Sequence, residues 1–227
     1  MSSIVELQNV SKSFPDADGG VERKVLSGID LTVSEGDRMA IVGSSGCGKS
    51  TLLNILGTLD TPTSGTVHFG GKNVTALSEK EVSRLRSESI GFIFQLHHLL
   101  PQSTVLENVI LPSLALANKP EASKVKARAE QLLDRVGLTG QMHQKPHQIS
   151  GGERQRVAVV RALINQPRII LADEPTGALD QERAGELVDL LVELNEEEKV
   201  ALVMVTHDPG LAERMGTVRR IDRGVLV

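Results

Sequence analysis

Gly43-Ser44-Ser45-Gly46-Cys47-Gly48-Lys49-Ser50 matches, at every specified position, the spacing of a loop that wraps a polyphosphate. Glycines at these places let the backbone turn tightly enough to aim successive N–H groups at phosphate oxygens. The short strand Arg38–Val42 precedes the loop, and an apolar helix over Thr51–Thr58 follows it, so the partial positive charge of the helix N-terminus adds to the anion site. In this pattern Lys49 reaches the β- and γ-phosphates and the Ser50 hydroxyl ligates Mg²⁺, with Thr51 next in line. Cys47 reads either as a small filler or as a redox-active thiol, and the filler reading is the simpler one.

Three further strand-length apolar runs end abruptly in polar residues. Ile90–Phe94 ends at Gln95, Ile169–Ala172 at Asp173-Glu174, and Val200–Thr206 at His207. Ligands of an open parallel sheet bind at the carboxyl ends of its strands, so these ends should meet the phosphate loop. Asp173 is placed to approach Mg²⁺, and Glu174, one residue on, to face the space beyond a γ-phosphate, where a carboxylate can deprotonate water. Gln95 can offer its carbonyl to Mg²⁺ and its amide to that water, and His207 can bond the γ-phosphate or the water. Each of the last two alone could equally be a turn or cap; convergence on one edge favours the functional reading.

A second phosphate-type element is Ser150-Gly151-Gly152-Glu153, opening a helix that extends to about Ile164. Spacing alone makes Ser150 and Glu153 a capping box. Two consecutive glycines in a first turn nonetheless weaken a helix and leave bare N–H groups, which is useful where an anion must come close. One chain then carries two half-sites for one nucleotide. A head-to-tail pair with two nucleotides at its interface resolves this, with Ser150 and Gly152 as donors in place of an arginine finger.

The elements that must position these residues follow from hydrophobic patterning. The four short runs with little alternation read as strands buried on both faces of a parallel sheet. Ile4–Val10 and Leu26–Val33 alternate and read as a small antiparallel sheet with one wet face. Residues 96–167 carry no strand signal. Thr104 and Glu107 cap a helix running to about Ala117, Asn118-Lys119-Pro120 breaks it, and Glu121–Val136 has helical spacing. Ser78 and Glu81 cap a short charged helix. The fold class expected is α/β: a phosphate-loop core of mainly parallel sheet over residues 1–95 and 168–227, with an N-terminal antiparallel part and a helical insertion over 96–167.

Composition narrows the function. With 25 Lys+Arg against 29 Asp+Glu the formal charge is −4, and the chain has four Phe and neither Tyr nor Trp. That argues against binding nucleic acid through base stacking or a basic surface. No apolar run approaches the ~18 residues needed to span a bilayer. Met1–Ile4 lacks the basic and apolar regions of a secretory signal, and one Cys excludes an intrachain disulfide.

Together the phosphate loop, Gln95, the Ser150–Arg156 run, the Asp173-Glu174 pair, Ala178-Leu179-Asp180 and His207 resemble, over essentially the whole chain, the nucleotide-binding subunit of an ATP-binding-cassette (ABC) transporter. The resemblance implies an ATPase, with ATP and Mg²⁺ as cofactors, acting as a head-to-tail ATP-sandwich homodimer on separate transmembrane permease subunits. It places the chain in the cytoplasm, peripheral on the inner face of the cell membrane. It also implies that Phe14 stacks on adenine where the family often has Tyr; the alternative for Phe14 is a core residue. Glu153 stands where Gln is common.

The run from Phe94 through His97-His98-Leu99-Leu100-Pro101 is similar to the branch of lipoprotein-releasing, macrolide-export and cell-division ATPases, leaning to the first. The other readings are a cell-division regulator or a soluble ABC-type ATPase of DNA repair, chromosome structure or translation. The apolar residues of Leu96–Pro101 read either as core of the helical part or, the reading preferred, as the lining of a groove beside Gln95 that receives a permease helix; His97 and His98 are expected to be surface or interface residues, and Glu196–Glu198 a solvated helix end.

Overall fold

The computed structural model describes residues 3–15 and 22–227. Two sheets form it. The first is antiparallel, with β1 (Ser3–Phe14) between β2 (Arg23–Ser34) and β4 (Ser64–Phe69), and the two-residue β5 (Lys72–Asn73) beyond β4. The second has β3 (Arg38–Val42), β6 (Ile90–Phe94), β7 (Ile169–Asp173), β8 (Ala201–Val205) and β9 (Thr217–Asp222) in the parallel order β9-β3-β8-β7-β6, with β10 (Val225–Leu226) antiparallel on β9.

The sheet strands sort their side chains by period two, the geometry of extended chain. Ile169, Leu171, Ala201, Val203 and Val205 face a core shared with α1 (Lys49–Leu56) and the antiparallel sheet. Ile170, Ala172, Leu202 and Met204 face a second core built with α3 (Val105–Ile110), α4 (Ala122–Arg135), α5 (Gly151–Leu163) and α6 (Gln181–Glu198). Burial on both faces explains the unbroken apolar runs, each large side chain contributing about 1.5–3 kcal/mol.

The helical segment is bedded on the sheet rather than hung from it. A Cβ on Gly91 of β6 would stand 2.4 Å from the Ala162 carbonyl oxygen of α5, so only glycine allows this approach. A charged cluster adds a second tie. Arg128 and Arg135 of α4 both bind Glu198 at the end of α6, at 3.1 and 2.8 Å, and Arg135 also binds Glu197. Glu196 pairs with Arg38 at 2.8 Å. Glu196 and Glu197 are exposed, as expected of a solvated helix end, but Glu198 is not: burial pushes its carboxyl up, and the two arginines together outweigh this and hold it below the usual carboxylate range.

Other expectations need correction. The helix opening at Thr104 stops at Ile110 and tightens to a 3₁₀ turn over Leu111–Ala115, because Pro112 has no N–H to give to the preceding turn. Strands β4 and β9 fall outside the expected set: β4 buries only Val67 and Phe69 and β9 only Ile221, so they carry little apolar signal. Leu99 packs against the helical core instead of lining a groove, whereas Leu96 and Leu100 are exposed. All three expected capping boxes form, at Ser78, Thr104 and Ser150.

Candidate functional site

The phosphate loop leaves β3 and enters α1. Its carbonyls at Gly43 and Ser44 accept hydrogen bonds from the Lys49 ammonium at 2.9 and 3.1 Å. Lys49 is buried, and these two contacts pair its charge with carbonyl dipoles, leaving it available to an incoming phosphate. Two glycines are sterically required. At Gly43 a Cβ would stand 2.5 Å from the Ile221 carbonyl oxygen and 2.6 Å from Cys47 Sγ, and Gly48 caps α1 with φ +110°. Cys47 packs against the core beneath the loop, as a filler does. Ser45, Gly46 and Ser50 are exposed on the outer side, and Thr51 is half-buried in the first turn of α1.

Register brings the other strand ends to this loop. Phe94 pairs with Asp173, and Asp173 with Val205, so Gln95, Glu174 and Thr206 leave the sheet at one edge. Ser50 Oγ donates to Asp173 Oδ1 at 3.0 Å, joining the two expected metal ligands across 123 residues. Burial pushes the Asp173 carboxyl up, the neighbouring Glu174 charge adds to this, and the Ser50 bond and Lys49 oppose it. A group so poised gains from a cation beside it.

Glu174 sits at φ +46°, a left-handed conformation unusual for a side-chain-bearing residue. Its N–H donates to the Val205 carbonyl at 3.0 Å and its carbonyl accepts from Gly177 N–H at 3.0 Å, so the turn is held from both sides. Such conformations cost about 1–3 kcal/mol and gather at functional sites. Here the turn delivers the carboxylate to His207 Nδ1 at 2.7 Å. An ionised carboxylate only accepts, so Nδ1 of His207 carries the hydrogen. Gln95 is exposed and lies against Gly177, where a Cβ would meet its Nε2 at 2.7 Å.

Phe14 is exposed, not core, at the mouth of a cleft of about 470 Å³ that runs to Gly48, Lys49, Ser50 and Thr51. The Lys12 ammonium lies 4.9 Å from its ring centroid and is fixed by Asp60 at 2.6 Å and the Thr61 carbonyl at 2.7 Å. Nothing local in the sequence marks Lys12, because its partners lie about fifty residues away. The ring thus has a cation on one face, an arrangement that stiffens it.

At the start of α5 the capping box forms. Ser150 Oγ accepts from Glu153 N–H at 3.3 Å, and Glu153 Oε2 accepts from Ser150 N–H at 2.7 Å. Glu153 Oε1 also accepts from Gln141 at 3.1 Å, and the carboxyl is held low chiefly by the Ser150 backbone N–H. The cap uses a lone pair of the Ser150 hydroxyl and leaves its proton to donate, so capping and anion binding are compatible. Gly151 and Gly152, the first residues of the helix, contribute first-turn N–H groups that lack intrahelical acceptors.

Ser150→Arg is accordingly expected to leave nucleotide affinity within about threefold, since the phosphate loop is intact, while turnover falls about 100-fold or more, as for loss of a transition-state donor. Nucleotide titration and phosphate release on the purified chain measure both. Unchanged turnover would make Ser150 a cap and nothing more.

A phosphate loop on a parallel sheet, a carboxylate pair at the next strand end but one, and an anion-type helix start elsewhere on the surface define a nucleoside triphosphatase of the cassette type. The family model for ABC transporters matches residues 26–177. The lipoprotein-releasing system ATP-binding protein LolD of Geobacter metallireducens is 48% identical, covering 100% of this chain and 99% of that protein. LolD of Legionella pneumophila is 48% identical over 98% and 96% of the two chains. Among solved structures, the dimeric bacterial ABC transporter cassette MJ0796 is 38% identical with a TM-score of 0.88, covering 98% of this chain and 96% of that one. A post-hydrolysis dimer of the same cassette, bound to ADP and Pi, has the same TM-score at 39% identity and the same coverage. The chain belongs to the ABC transporter family. It is an ATP-binding subunit that hydrolyses ATP.

Proposed function

We propose that this subunit drives a lipoprotein-releasing transporter, hydrolysing Mg-ATP on the cytoplasmic face of the membrane for transmembrane subunits carried on other chains. Its similarity to LolD proteins, 45–48% identity over nearly its whole length, is the observation that carries this reading. No helix among the described residues is long and apolar enough to cross a membrane; the proposal places the membrane-spanning path on partner chains.

Among the described residues no three His, Cys, Asp or Glu side chains are grouped to hold a metal. Mg²⁺ fits nonetheless, because it is usually held by one or two protein oxygens and completed by substrate phosphates and water. The Ser50–Asp173 oxygen pair is such a donor set, and Gln95 leaves the sheet at the same edge. When bound, the ion neutralises charge on the β- and γ-phosphates. Lys49 and the loop N–H groups orient the triphosphate, and Phe14 stacks on the base. Glu174 takes the proton of the attacking water, and His207, fixed in one tautomer, holds that carboxylate in line. Ser150 and Gly152 of a second copy close the site in a head-to-tail dimer.

The docking surface for the membrane partner is a cleft of about 500 Å³ flanked by α2 (Glu79–Ser89) and β6, lined by Leu59, Phe92, Phe94, Pro112 and Ala115. Its occupant is a short cytoplasmic helix of the permease, whose apolar side would cover the exposed Leu59. Leu59→Glu should leave the ATPase of the isolated subunit within about twofold of wild type, as surface substitutions usually do. Co-purification with the permease should be lost. Retained assembly would exclude this cleft. The transport reading itself is tested in vesicles holding the co-purified complex: ATP-dependent transfer of a lipoprotein to a soluble acceptor is expected. ATP turnover without such transfer would overturn it.

A further inference from the structure

The turn 94–98 that carries Gln95 is held by side chains of α5, the helix whose N-terminus is the second phosphate-type element. Gln155 lies wholly inside the protein, 1% exposed. Its Nε2 donates to the Phe94 carbonyl at 3.2 Å, the carbonyl of the peptide bond joining Phe94 to Gln95. Its Oε1 faces His97 Nδ1 at 2.7 Å. One turn and a half further along the same helix, Arg161 donates to the carbonyls of His97 at 2.6 Å and His98 at 2.7 Å. Burial lowers the Arg161 pKa, and these carbonyls stand in for the water it has lost.

The chemistry of the contacts fixes their sense. The Phe94 carbonyl can only accept, so the Gln155 amide must point its NH₂ there and its oxygen at His97. Nδ1 of His97 therefore bears the hydrogen. His98 adopts φ +47°, which this bonding maintains, and its ring stands edge-on to Phe94 at 5.4 Å. A buried amide with a partner at both its nitrogen and its oxygen is rigid and expensive to disrupt. It is also more than Phe94 needs for folding, since β6 is already paired along its length with β7.

We propose that Gln155 and His97, supported by Arg161, are positioning residues for catalysis: they tie the Gln95 turn to α5, whose N-terminus carries Ser150 and Gly152, in the same subunit, and set where the Gln95 side chain stands at the catalytic edge. The inference rests on the assignment of Gln95 to the Mg-ATP site. It makes the Ser150 end of α5 and Gln95 parts of one rigid unit, so an anion seated at the first is felt at the second without any contact between them.

The test is a double-mutant cycle on the full chain with His97→Leu, which removes the Nδ1–H donor, His97→Asn, which replaces it with an amide donor, and Gln95→Ala. His97→Leu is expected to lower kcat by about 10–100-fold, the range for loss of an outer-layer partner, and to raise the Mg²⁺ concentration needed for half-maximal rate. KM for ATP should stay within about twofold, and His97→Asn should recover most of the rate, because the same donor is restored. In a Gln95→Ala background, His97→Leu should have no further effect, the sign that it acts through Gln95. Equal losses from His97→Leu with and without Gln95 would overturn the proposal, as would equal losses in His97→Leu and His97→Asn. If Gln95→Ala keeps full activity and Mg²⁺ dependence, the assignment of Gln95 fails and takes the proposal with it. Should His97→Leu fold poorly, Gln155→Met takes its place in the same cycle, since it keeps the length and volume of the buried side chain, adds no charge, and loses the donor to Phe94 together with the acceptor of His97.

Discussion

Glu174→Gln should leave a protein that binds Mg-ATP with affinity within about twofold of wild type and turns it over about 1,000-fold more slowly, within the span expected when a general base is removed. The amide has the shape of the carboxylate, and its oxygen can still accept from His207 Nδ1–H, so the turn at Glu174, with its φ of +46°, is kept. Proton affinity is what disappears. With hydrolysis stalled and the phosphate loop, Ser50 and Asp173 untouched, nucleotide should persist at the site and hold two copies together. Size-exclusion chromatography in Mg-ATP should then show a stable dimer that wild type forms only transiently. A variant that stays monomeric under saturating nucleotide would mean that the sandwich is wrong. One that hydrolyses at the wild-type rate would mean that Glu174 is not the base.

Lys49→Ala acts on the step before. The ammonium is buried and held by the Gly43 and Ser44 carbonyls, so truncation removes the cation of the β/γ-phosphates and also two bonds that shape the loop. Hydrogen bonds to charged groups are worth about 1.5–3 kcal/mol each, so affinity for ATP should fall by at least about 100-fold. Lys49→Met keeps most of the buried stem and separates charge from packing. If Met and Ala lose affinity alike while unfolding temperatures stay near wild type, the charge is the cause. Binding within a few-fold of wild type in either would remove the loop from the ATP site.

Much of this was legible in the residues because local rules and global fold agree there. Strands β3 and β6 occupy the expected spans, since burial on both faces leaves an uninterrupted apolar run. The capping boxes are similarly local, each set by two residues three apart. What could not be read depends on partners distant in sequence. The Glu198 clamp joins α4 to α6 across 63 and 70 residues, and acidic runs are ordinarily solvated, so the bland reading was the natural one. His97 looked like surface because nothing nearby marks its partner, Gln155, 58 residues on. Strand β9 has only Ile221 buried, too little for alternation to show. Leu99 and Leu96 have the same residue type and the same neighbourhood, and only the tertiary packing separates the one seated on the helical core from the exposed one.

The contact between Gly91 and Ala162 fixes one end of α5 to β6 with no room for sliding. Twelve residues separate Ala162 from Ser150, so at 1.5 Å per residue the Ser150 end stands about 18 Å from that contact, on an arm that Gln155 joins to the Gln95 turn. A tilt of about 5° about that pivot displaces Ser150 by about 1.6 Å, enough to make or break a hydrogen bond at a nucleotide, while the pinned end hardly moves. Angular precision, rather than distance along the helix, then decides whether the second half-site is closed. A side chain larger than hydrogen at position 91 would misalign the whole arm from its base, at a place remote from every group that touches ATP.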